Sequence, residues 1–68
     1  MESKILTKRE KQIFDLLVDG KSSKDIAEIL GISEKTVRNH VSNSMQKLGV
    51  KGRAACIVEL LKLGEIKL

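Results

Sequence analysis

The 68-residue chain has a single aromatic residue, Phe14, a single cysteine, Cys56, a single histidine, His40, and no proline. Each scarcity excludes something. One aromatic side chain removes the base-stacking platforms on which RNA-binding sheets and single-strand binders rely. One cysteine cannot close an internal disulfide, and one cysteine with one histidine cannot make a structural zinc site, so neither staple common in small domains is available. The longest uninterrupted apolar run, Ala54 to Val58, is five residues, far short of the ~20 that a membrane-spanning helix needs. Glu2, Lys4 and Lys8 stand where a signal peptide would carry its apolar core. No carboxylate pair, activated nucleophile, metal set or phosphate-cradling glycine loop stands out, so neither an enzyme nor a cofactor, metal or small-molecule ligand is expected.

What is present is the composition of a folding domain. With 41% hydrophobic and 32% charged residues and a net charge of +4, residues 1–68 are expected to form one small domain in the cytoplasm, with no room for a second core. Without staples, stability must come from apolar packing, within the chain or across a dimer.

Glycines and hydroxyl residues punctuate the chain. Gly20, Gly31, Gly49 and Gly64 each close a segment, three of which open on Thr7, Ser23 and Ser33, a pattern that predicts an all-α domain of four helices over about 7–19, 23–30, 33–48 and 51–63. Thr7 with Glu10 three residues later reads as a capping box, each side chain satisfying the other's backbone N–H. The first helix turns Ile13, Phe14, Leu16, Leu17 and Val18 inward. Ser23 is the expected N-cap of a short second helix and Ser33 that of the third. Val37, Val41, Ser44 and Leu48 define one narrow core stripe on the third helix, whose remaining surface is polar. The fourth has eight apolar residues among the eleven from Arg53 to Leu63, too many for one buried stripe.

The stretch from Ser23 to Ser42, SKDIAEILGISEKTVRNHVS, fits two helices crossing at a steep angle through a tight turn. Ala27 lacks bulk where the next helix must approach, Gly31 supplies positive φ, and Ile32 plugs the corner. This is the pattern of a helix-turn-helix. Charge agrees: residues 35–53 contain Lys35, Arg38, Lys47, Lys51 and Arg53 without one acid, a segment of +5, while the rest of the chain sums to −1. The basic segment coincides with the helix that a helix-turn-helix presents to the major groove. A solvated charged face, or a helical module docking on an acidic protein partner, is the competing reading of the same charges.

The runs LTKRE and IAEILGISEKTVRNHVSNSMQKLGVKGR resemble the LuxR-type helix-turn-helix of bacterial transcription regulators, and the resemblance extends from Leu6 to Leu68. It implies sequence-specific binding of double-stranded DNA as a homodimer, with RNA polymerase as a further partner. The short lead-in before Thr7 is similar to that of stand-alone sporulation members, which implies activation and repression of spore-coat genes on the nucleoid of the mother cell. An excised DNA-binding domain of a larger response regulator, or a sigma-factor fragment, would share these residues.

On the third helix the side opposite the core stripe carries Lys35, Arg38, Asn39, Ser42, Asn43 and Gln46. Arg38 can pair with guanine O6 and N7, Asn39 with adenine N6 and N7, and Ser42 with either; the resemblance places base contacts at the same three positions. Ser33, Lys35, Thr36, Asn43, Lys47 and Lys51 suit phosphates. His40 and Cys56 read as structural residues. The resemblance also implies an ion pair between Glu10 and Arg53 that ties the first helix to the fourth. Around the fourth helix, Ala54, Val58 and Leu61 form one apolar group and Cys56, Ile57 and Leu60 another, and periodicity leaves open which faces the core. If Arg53 meets Glu10, then Ala54, Val58 and Leu61 remain for a dimer partner.

Overall fold

The computed structural model describes residues 5–68, and among these there is no strand, only four helices: α1 (Lys8–Val18), α2 (Ser23–Leu30), α3 (Glu34–Leu48) and α4 (Arg53–Lys62). The helices start where local hydrogen bonding makes starting easy. Thr7 Oγ1 accepts from the Glu10 backbone N–H at 3.1 Å while Glu10 Oε1 accepts from the Thr7 N–H at 3.0 Å. This is the expected capping box. A second box opens α2 one residue before the expected Ser23: Ser22 is the N-cap, accepting from the Asp25 N–H at 3.1 Å, while the Asp25 carboxylate accepts from the Ser22 N–H at 3.2 Å. The physical reason is reciprocity, because Ser22 has an acid three residues on and Ser23 has Ile26. Ser33 caps α3 as expected, accepting from the Thr36 N–H at 3.0 Å. The fourth helix begins two residues later than expected, after Gly52 at φ 106°, with no side-chain cap.

Two turns require glycine. Gly31 (φ 70°) ends α2 and Gly49 (φ 68°) ends α3, both in the left-handed region that other residues avoid. After each, the chain folds back onto the helix it has left: the Ile32 N–H donates to Ala27 O at 3.0 Å and the Val50 N–H to Met45 O at 3.1 Å.

Helix α3 is the centre of the assembly and packs against α1, α2 and α4. Val37, Val41 and Ser44 are buried along its inner stripe. They meet Ile13 and Phe14 of α1, Ile26 and Ala27 of α2, Cys56 and Leu60 of α4, and Leu6 and Ile66 from the chain segments outside the helices, in one core. Leu48, the last member of the expected stripe, is half-buried. The Ser44 hydroxyl, wholly enclosed, donates to His40 O at 3.0 Å and so brings no unsatisfied polar group into the core. No helix among the described residues is long and apolar enough to cross a membrane.

Candidate nucleic-acid interface

Because α3 touches the core along one narrow stripe, the rest of its surface is free to meet something else. Lys35, Arg38, Asn39, Ser42, Asn43 and Gln46 are all exposed along it. Of the three side chains expected to read bases, Arg38 and Asn39 are adjacent on that surface and Ser42 lies about one turn further on. Arg38 Nη1 is 3.5 Å from Glu34 Oε2, one turn earlier, in a pair whose side chains are 64% and 47% exposed. An ion pair so open to water contributes about 0–1 kcal/mol, so the guanidinium gives it up readily to a stronger acceptor.

The residues expected at phosphates divide. Ser33 and Thr36 sit at the start of α3 with their hydroxyls sharing a hydrogen bond at 2.9 Å. Ser33 is exposed and Thr36 half-buried, while Lys35, Asn43 and Lys51 are exposed. Lys47 is different: its Nζ donates to Glu10 Oε1 at 2.6 Å and to Ile5 O at 3.0 Å. Two of its three N–H donors are therefore taken by the scaffold.

This geometry corrects the expected pair of Glu10 with Arg53. The partner of Glu10 is Lys47, which ties α1 to α3 instead of to α4, and among the described residues Arg53 forms no ion pair. Burial alone would raise the Glu10 carboxyl. The Lys47 hydrogen bond, the Thr7 N–H and the charges of Lys47 and His40 outweigh it and hold the carboxyl below its ordinary 4.5. Sequence offered no signal for this contact, since the partners stand 37 residues apart and several lysines were available.

Arg53 instead lines a depression of about 220 Å³ together with Ser23, Arg38, Val41, Ser42 and Met45. On α4 the core side is Cys56 and Leu60, both fully enclosed, with no help from Arg53. Burial pushes the Cys56 thiol up, so it stays protonated and acts as a small apolar residue. Ala54 and Val58 are exposed, Val58 by 49%, whereas Leu61 and Ile57 are half-buried against the core. His40 is half-buried.

A short helix, a left-handed glycine turn and a second helix with an exposed, acid-poor polar face define a helix-turn-helix DNA-binding domain. The profile of the family "Bacterial regulatory proteins, luxR family" matches residues 4–60, and the chain belongs to that family. It is 64% identical over 64 residues to the spore germination protein GerE of Bacillus subtilis, covering 94% of this chain and 86% of that one. A solved structure of the transcription factor GerE superimposes with a TM-score of 0.92 at 60% identity, covering 96% of this chain and 97% of the other. Longer regulators match as well. The transcriptional regulatory protein DegU of Brevibacillus brevis is 51% identical over 63 residues, and the transcriptional activator LuxR of Aliivibrio fischeri 44% over 61. The matched region spans 93% and 90% of this chain but only 27% and 24% of those proteins. The chain is thus a GerE-like DNA-binding transcription regulator and not an enzyme.

Proposed function

We propose that the chain binds a specific duplex sequence as a two-fold dimer, inserting α3 into the major groove of each half-site. The observation that carries this reading is the outward face of α3, where Arg38, Asn39 and Ser42 are exposed on the helix that the core holds at its centre. Arg38 reads guanine, Asn39 adenine, and Ser42 either. Ser33, Lys35, Thr36, Asn43 and Lys51 hold phosphates and set the register. We assign Lys47 to the scaffold, because Glu10 already compensates its charge.

The dimer forms through Ala54, Val58 and the outer edge of Leu61, which α4 leaves uncovered, and two such subunits place their α3 helices about one turn of DNA apart. The relative GerE, a spore germination protein by its name, supports a role in sporulation. There the dimer activates some spore-coat genes and represses others by its position relative to RNA polymerase, on the nucleoid of the mother cell. Selection of bound sites from random duplex DNA tests the reading directly. The expected product is an inverted repeat with half-sites one helical turn apart; failure to enrich any motif would overturn it, and enrichment of a single half-site would remove the dimer.

A further inference from the structure

Two residues of the depression beside the reading face, Ser23 and Arg53, are explained neither by the core nor by base reading. Arg38, Val41, Ser42 and Met45 follow one another at intervals of three, one and three residues, so they form a single ridge of α3. Ser23 is the first residue of α2 and Arg53 the first residue of α4. Two helix starts therefore meet on one flank of α3, next to two of its three base-reading residues. No acid lines the depression. Glu34, the nearest acid along α3, is engaged with Arg38, which leaves Arg53 as the uncompensated cation. At about 220 Å³ the space falls below the roughly 300–1,000 Å³ of sites that enclose a small-molecule effector. What the depression offers an anion is the charge of Arg53.

We propose that this depression, framed by Arg53 and Ser23, seats one backbone phosphate of the DNA strand whose base edge Arg38 reads. The inference rests on the DNA-binding reading above and adds a contact to it. The Arg53 guanidinium donates to two phosphate oxygens. Ser23 donates from its hydroxyl and from its backbone N–H, one of the first-turn N–H groups of α2 that lack a partner within the helix. Val41 and Met45 supply the apolar part of the lining. The seat joins α2, α3 and α4 on one phosphate and so fixes how far α3 enters the groove.

Salt titration of duplex binding tests this with Arg53→Gln and Ser23→Ala beside the parent, each checked for folding by circular dichroism. Arg53 is exposed and forms no ion pair among the described residues, so Arg53→Gln should melt with the parent. With one phosphate contact fewer, the slope of log K against log salt should be shallower by about 0.9; raising salt from 50 to 200 mM then costs the variant about 3-fold less affinity than the parent. The loss should be the same on a selected site and on its scramble, and Arg53→Lys should restore the slope. Ser23→Ala should weaken binding on both duplexes without changing melting, and serves alone if Arg53→Gln does not fold. An unchanged slope and affinity, or a loss confined to the selected site, overturns the seat while leaving the DNA-binding reading standing. A parent that binds no duplex overturns both. Amide shifts at Ser23 and Arg53 with inorganic phosphate, in a variant whose duplex slope matches the parent, would make this a free-anion site and also overturn the proposal.

Discussion

Lys47 shows how much one side chain's partner matters. Its ammonium lies 2.6 Å from a Glu10 carboxylate that is only 4% exposed, while Lys47 itself is 38% exposed. The pair is intermediate between a surface bridge and a buried one, so removing the lysine costs more than a surface change and less than the loss of a fully enclosed partner. Lys47→Met should destabilise the domain by about 1–3 kcal/mol, and thermal melting should show it; an unchanged melting temperature would discard the pair. The pH dependence follows from the same contact. Since folding holds the Glu10 carboxyl below its ordinary 4.5, its contribution is complete above that value and fades as pH falls through and below it. Glu10→Gln should flatten stability against pH in that acid range, whereas a slope equal to the parent's would show that other carboxylates carry it. At the reading face, Arg38→Ala should cost roughly 1–3 kcal/mol on the selected site and relax the base preference there. Equal weakening on selected and scrambled duplexes would make Arg38 a backbone contact.

At the scale of the helix, the caps decide where each element begins and therefore which residues it presents. Starting α2 at Ser23 makes that residue's N–H an unpartnered first-turn donor, whereas Ser22 is occupied with Asp25. Ser22→Ala should cost about 1 kcal/mol of stability and Ser23→Ala almost none, a contrast that chemical denaturation resolves; the reverse order would return the cap to Ser23. Helix α3 can keep its outward face polar because its buried residues, Val37, Val41 and Ser44, all lie on one stripe. Helix α4 has apolar residues on two sides, and its buried pair, Cys56 and Leu60, holds it to the rest with Ile57 and Leu61 packed beside them.

For the whole molecule, the open question of the apolar surplus becomes a question of association. The described residues extend 28 × 23 × 19 Å around a single core, and Val58 stands outside that core. Replacing it with lysine should leave the monomer folded and shift sedimentation toward the monomer. If parent and Val58→Lys associate equally, α4 is not the interface.

The sequence by itself determined the number and order of the helices, the turn at Gly31, the polar face of α3 and the segregation of positive charge, because capping, left-handed backbone and helical periodicity act over a few residues. The cap of α2, expected at Ser23, lies at Ser22, where the spacing to Asp25 carried the signal that the expectation missed. Only the tertiary structure decided that Glu10 meets Lys47, that Arg53 turns instead to a depression beside the reading helix, and that Cys56 and Leu60 take the core side of α4. Those outcomes depend on the angles at which helices distant in sequence cross, and a pattern of residue types along one chain does not encode which of several cations ends up beside a buried carboxylate.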